Sequence, residues 1–125
     1  MIKILTIEDE EAIRETIVDT LTLEGFEVMA AENGQVGLQL AREQLPDLII
    51  CDVIMPELDG YGVIYRLNQN PKTHGIPFIF LTGKSSMNDF RYGMNLGASD
   101  YLSKPFTSEE LVTAVKVRLK RYRFA

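Results

Sequence analysis

The segment that most constrains this chain is residues 46–60, PDLIICDVIMPELDG. Four apolar residues, Leu48-Ile49-Ile50-Cys51, stop at a carboxylate, Asp52, and the turn formers Pro56, Asp59 and Gly60 follow. So short an apolar run, bounded by Pro and Gly, reads as a strand buried on both faces, which requires helices on either side of a sheet. Asp52 then stands at the strand's carboxyl end, where open α/β sheets place their chemistry. A lone acid closing an apolar strand is an unusual place for a merely solvated charge.

The flanking sequence supplies the rest of such a sheet. Residues 2–7 (IKILTI) are short, apolar and rich in β-branched side chains, which predicts a first strand. Acids follow at Glu8-Asp9-Glu10-Glu11, and Ile13, Ile17 and Leu21 then recur at helical spacing up to Gly25. Residues 26–30 predict a second strand, and Asn33 or Gly34 opens a second helix with Gly34, Leu38, Ala41 and Leu45 on one face. Gly37 inside that helix costs on the order of 1 kcal/mol against Ala, so a close helix–sheet contact is expected there. Val63, Ile64 and Leu67 mark a third helix that ends at Asn70-Pro71. Residues 77–81 predict a fourth strand with Pro at its first position, and 99–102 a fifth. Between them a helix over about 88–96 carries an apolar stripe of Met87, Phe90 and Met94 and stops at Gly97. Thr107 and Glu110 form a capping box for a last helix with Leu111, Val115, Leu119 and Tyr122 as its buried stripe.

Strands alternating with helices along the whole chain predict a parallel sheet with helices on both faces and right-handed crossovers. At 125 residues the expectation is one domain spanning 1–125, with no linker or internal repeat. A net charge of −5 argues against direct nucleic-acid binding by this domain. No apolar stretch approaches the roughly 20 residues that cross a bilayer. Met1 leads straight into a strand-like run without a signal sequence, so a cytoplasmic location is expected, with no membrane partner. The single cysteine, Cys51, reads as a small core residue.

The carboxyl ends of parallel strands share one edge. The residues leaving those ends are Glu8-Asp9, Asp52, Thr82 and Lys104. Three crowded carboxylates repel, and each has its pKa raised unless a cation compensates. A hydrated all-oxygen site suits Mg²⁺. Lys104 adds positive charge and Thr82 a hydroxyl, a set suited to clamping a phosphoryl group in transfer. A carboxylate in such a pocket is a competent nucleophile toward phosphorus.

The order Glu8-Asp9, Asp52 with Met55-Pro56 and Gly60, Thr82, then Lys104-Pro105-Phe106 resembles the receiver domain of two-component response regulators, including the chemotaxis-type receivers, over essentially the whole chain. The resemblance implies a flavodoxin-like, doubly wound five-stranded parallel sheet of strand order 2-1-3-4-5 with five helices. It implies a phosphorelay signalling domain and not an enzyme, with Asp52 as phosphoacceptor served by a histidine kinase or phosphotransfer protein. It further implies Mg²⁺ held by Asp9, Asp52 and the backbone carbonyl of Ile54, with Glu8 acting through water. Lys104 pairs with the phosphoryl oxygens, the Lys104–Pro105 bond is cis, and Thr82 and Tyr101 form a coupled switch. That switch biases the face made by the fourth helix, fifth strand and fifth helix, toward a C-terminal output domain or a downstream protein.

Glu8 replaces the commoner Asp, and Gly83 stands where Ala or Ser is more usual in that family. Apolar Ile54 and Lys84 occupy the positions two residues beyond Asp52 and Thr82, which in that family flank the path of the hydrolytic water. Ile54 cannot orient that water, so slow loss of the phosphoryl group is expected. One DNA-binding subgroup dimerises through charges on the fourth and fifth helices. Phe90 and Ala114 stand where it has arginines, although Asp100, Glu110 and Lys116 fit its pattern, so no strong dimer of that type is expected.

Two other functions are compatible with this fold class. A flavin-binding electron carrier needs a Ser/Thr/Gly-rich phosphate loop after the first strand, where this chain has four acids. A Mg²⁺-dependent aspartyl-phosphate phosphatase wants a second acid two residues past the nucleophile, where Ile54 stands. Gly83-Lys84-Ser85 lacks the upstream Gly of a P-loop, since Phe78 is there. His74 reads as a solvated loop residue. Lys116, Arg118, Lys120, Arg121 and Arg123 read as the wet face of the last helix or a lead toward an output domain.

Overall fold

The computed structural model describes residues 1–83 and 87–124. Each short apolar run becomes a strand: β1 Lys3–Ile7, β2 Glu27–Ala31, β3 Leu48–Asp52, β4 Phe78–Thr82 and β5 Asp100–Ser103. The helical runs form α1 Glu11–Leu23, α2 Gly34–Gln44, α3 Gly60–Asn68, α4 Met87–Asn95 and α5 Ser108–Phe124. All four strand pairings are parallel, in the order β2-β1-β3-β4-β5. This is the flavodoxin-like arrangement, with β1 and β3 side by side at the point where the winding reverses.

Alternation along the strands divides the core in two. Leu5, Ile7, Ile49, Cys51, Phe78 and Phe80 face the layer holding α2 and α3, where Leu38, Ala41, Val63, Ile64 and Leu67 meet them. Ile4, Leu48, Ile50, Ile79 and Leu81 face α1 and α5 through Ile17, Leu21, Leu111, Val115 and Leu119. Every residue of β3 and β4 is buried, which is why both read as unbroken apolar runs. Gly37 lies against β1 as expected: a Cβ there would overlap the Ile7 side chain. Cys51 is fully buried in the first core cluster, and burial pushes its thiol pKa well up.

The ends of the helices follow their caps. Asn33 accepts from the Val36 amide at 2.8 Å, and Asp59 from the Gly62 amide at 2.8 Å. The Thr107 hydroxyl accepts from the Glu110 amide at 3.0 Å while Glu110 accepts from the Thr107 amide at 2.8 Å, completing the capping box. Gly25 and Gly97 take φ of +93° and +99° just past α1 and α4, values that a residue with a Cβ rarely adopts.

Several expectations need correction. β2, β4 and β5 each lie one residue further along than their apolar runs suggest, because ladder pairing and not hydrophobicity sets the ends. Leu45 does not continue the buried face of α2: it is the left-handed C-cap, with φ 46°, and is exposed. Phe90 and Met94, of the modest apolar stripe on α4, are exposed, and Gly93 is the buried position among the described side chains of that helix. Arg118 is not simply solvated but pairs with Asp100 at 3.4 Å. His74 is exposed, as expected. Lys84, Ser85, and the side chains of Met87, Lys120, Arg121, Tyr122 and Arg123 lie outside what is described.

Candidate functional site

Parallel pairing brings the ends of β1, β3, β4 and β5 to one edge. Ile7 is level with Cys51, Asp52 with Leu81, and Thr82 with Ser103, so the residues just beyond converge. Carboxylate oxygens of Glu8, Asp9 and Asp52 lie within 4.8 Å of one another. Glu8 is fully buried, Asp52 nearly so, and Asp9 exposed, giving a site with a closed floor and an open rim.

Lys104 spans the floor. Its ammonium stands 2.9 Å from Glu8 Oε1 and 3.1 Å from Asp52 Oδ2. The Lys104 amide donates to the Thr82 carbonyl at 2.8 Å, anchoring the loop after β5 to the end of β4. The Lys104–Pro105 bond is cis. Thr82 is buried at the end of β4.

One lysine for three acids leaves the site short of positive charge. Burial raises the Glu8 pKa from 4.5 to about 7, against the lowering effect of Lys104 and the Glu10 amide, and Asp52 adds repulsion. Burial likewise raises Asp52, with Lys104 and the Ile54 amide opposing and Asp9 repelling. Lys104 has its own pKa raised, its desolvation being outweighed by Glu8 and Asp52. An all-oxygen donor set with this deficit fits a hard divalent cation such as Mg²⁺.

The loop after Asp52 is held tightly. The Gly60 amide donates to the Val53 carbonyl at 2.9 Å, and a Cβ on Gly60 would strike the Asp52 carbonyl. Helix α3 can therefore start directly beneath the end of β3 only because residue 60 has no side chain. Met55 and Leu58 tuck inward, whereas the Ile54 side chain is 67% exposed at the rim.

Tyr101 lies half-buried on β5 with its hydroxyl donating to the Asp89 carbonyl of α4 at 2.7 Å. Arg14 was not anticipated. Its guanidinium donates to the Glu8 carbonyl at 2.9 Å and braces the acidic turn from one helical turn away. Only its position six residues past Glu8, on the helix that the turn opens, hinted at this.

A fold of this order, with acids and a lysine gathered at the strand ends, defines a receiver-type architecture. The chain belongs to the response regulator receiver domain family, whose model matches residues 4–116. It is 40% identical over 119 residues to "Probable transcriptional regulator ycf27" of Porphyra purpurea, covering 95% of this chain and 48% of that protein. To the DNA-binding dual master transcriptional regulator RpaA of Synechocystis it is 38% identical over 121 residues, covering 97% of this chain and 50% of the relative. The chain thus spans about half the length of the curated relatives it matches. Among solved structures it resembles the chemotaxis protein CheY4 of Vibrio cholerae, with TM-score 0.90, 31% identity and coverage of 94% and 98%. It also resembles a response regulator receiver domain from Clostridium thermocellum, with TM-score 0.91, 31% identity and coverage of 99% and 98%. No helix among the described residues is long and apolar enough to cross a membrane.

Proposed function

We propose that this receiver domain accepts a phosphoryl group on Asp52 from a histidine kinase or phosphotransfer protein. The observation that carries the reading is the approach of Glu8, Asp9 and Asp52 to within 4.8 Å, with Lys104 bridging Glu8 and Asp52. Asp9, Asp52 and the Ile54 carbonyl would hold Mg²⁺, with Glu8 reaching it through water; bound there, the ion offsets the acids' repulsion and neutralises charge on the transferred group.

The chain's own residues do the remaining work. An Asp52 carboxylate oxygen attacks phosphorus, a new O–P bond forms, and the bond from phosphorus to the donor's histidine nitrogen breaks, with the electron pair leaving on that nitrogen. Lys104, already 3.1 Å from Asp52, moves its ammonium onto the phosphoryl oxygens. Thr82 offers its hydroxyl to the same group, and Tyr101 follows, shifting the balance between two arrangements of the α4–β5–α5 face. Because the relatives are transcriptional regulators about twice as long, this face would act on an adjoining output domain or a separate target. The domain is a phosphoacceptor and signal carrier, with self-dephosphorylation as its only turnover, and it works in the cytoplasm. Neither membrane nor nucleic acid is its direct partner.

Incubation with acetyl phosphate and Mg²⁺, read by intact-protein mass spectrometry, tests the reading. One added phosphoryl group is expected, lost in Asp52→Asn and when a chelator removes Mg²⁺. A modification that persists in Asp52→Asn would overturn the assignment.

A further inference from the structure

Among the described side chains of α4, Phe90, Tyr92 and Met94 are all exposed. A set of rings packs against the helix. Tyr61, the residue after Gly60, sits edge-on to Phe80 at 5.1 Å and to Tyr92 at 4.8 Å. Tyr101 packs on Phe80 at 5.2 Å and on Phe90 at 5.3 Å. Such pairs act beyond simple area burial. The Tyr101 hydroxyl donates to the Asp89 carbonyl at 2.7 Å, and the Tyr61 hydroxyl stands 3.5 Å from both of those oxygens. At 3.5 Å that approach is the outer limit of a hydrogen bond, so Tyr61 acts chiefly through its ring.

Space for this arrangement comes from Gly93. A Cβ at that position would overlap the Tyr101 hydroxyl and ring. A helix-interior glycine carries a propensity penalty, so its presence on α4 calls for a packing reason, and the Tyr101 ring is that reason.

We propose that Tyr61 is a positioning residue of the switch face: it is the ring through which the first turn of α3, next to the β3–α3 loop, grips α4, and Gly93 is the socket that admits Tyr101 to the same grip. Two elements that meet at the carboxyl edge of the sheet then hold α4. One is α3, which starts at Gly60 under Asp52, and the other is β5, which carries Tyr101. Movement of the β3–α3 loop reaches α4 through Tyr61 without passing through Thr82. Replacing the ring with an aliphatic chain loosens α4, and filling the socket expels Tyr101.

Hydrogen exchange of the full chain, resolved to the α4 peptide, tests this in Tyr61→Leu, Tyr61→Phe, Gly93→Ala and Tyr101→Phe. Exchange in α4 is expected to quicken about threefold or more in Tyr61→Leu and Gly93→Ala, the scale of one or two lost ring contacts. The ring-preserving Tyr61→Phe should stay near wild type, and β1 and β3 should be unchanged in all variants. A second arm adds beryllofluoride and Mg²⁺ as a phosphoryl mimic; α4 protection should change in wild type and change less in Tyr61→Leu. Wild-type α4 exchange in Tyr61→Leu, or quickening spread evenly over the sheet, would overturn the proposal. If Gly93→Ala does not fold, Tyr61→Leu decides alone. The second arm rests on the phosphoacceptor reading, and an unresponsive wild type would count against that reading while leaving the metal-free comparison decisive for Tyr61.

Discussion

Replacing Glu8 by Gln should make the metal-free protein more stable at alkaline pH and a poorer metal binder. Glu8 is fully buried, with Oε2 accepting from the Glu10 amide at 3.1 Å and Oε1 2.9 Å from Lys104. Folding raises its pKa from 4.5 to about 7. A raised acid favours the protonated form in the fold, so its contribution is fully present below pH 4.5 and lost as pH rises through about 7. The difference corresponds to about 3 kcal/mol of stability missing at pH 8. Gln imitates the protonated acid at every pH but gives up the charge attraction of Lys104. The net gain at pH 8 is therefore about 1–3 kcal/mol, shrinking toward zero near pH 4.5. Urea unfolding followed by circular dichroism, with chelator, at pH 5 and pH 8 reads this directly. Mg²⁺ titration at pH 8 should then raise the wild-type midpoint more than that of the variant, because only the wild type regains the missing cation. A variant no more stable than wild type at pH 8, or equally more stable at both pH values, would refute the reasoning.

Other consequences follow from single contacts. The Thr6 hydroxyl is fully buried without a hydrogen-bond partner, so Thr6→Val should gain about 1 kcal/mol in urea unfolding. Gly37→Ala pushes a methyl into the Ile7 side chain and should cost about 1–3 kcal/mol, more than the helix propensity of Ala returns. Ile54 is 67% exposed beside Asp52 and offers no group to orient water; Ile54→Asn should speed loss of the phosphoryl group, and an unchanged dephosphorylation rate sinks that idea. Asp100, Glu110 and Lys116 are engaged within the chain, by Arg118, the Thr107 amide and Glu24 respectively. Analytical ultracentrifugation after phosphorylation should therefore show no tight dimer built on those charges.

Much of this molecule can be read from its amino acids, because burial on both faces of a parallel sheet leaves a plain mark. LIICD and FIFLT are continuous apolar runs since each of their residues is covered. Their ends are equally plain, since a charge cannot stay inside such a run. That is why Asp52, the acids after β1 and Lys104 read as neighbours at one edge of the sheet from the sequence alone. Local chemistry also carried the caps at Asn33 and Thr107, where a side chain answers a backbone amide three residues on.

Other features depend on residues far apart in sequence. Phe90 and Met94 recur at helical spacing yet are exposed, and the rings that pack on α4, Tyr61 against Tyr92 and Tyr101 against Phe90, come from two other elements. Leu45 looked like core but serves as a left-handed cap. Arg14 bracing Glu8 is hinted at only by its spacing from the acidic turn, and the partner that Gly93 receives, Tyr101, lies on another element. Sequence alone determined which residues stand at the strand ends, since burying apolar surface is a property of each segment. Only the tertiary structure decided how those residues share charge: that Lys104 lies between Glu8 and Asp52 while a third acid crowds them. Coulomb energy and desolvation depend on distances between strands, and those distances do not exist until the sheet has formed.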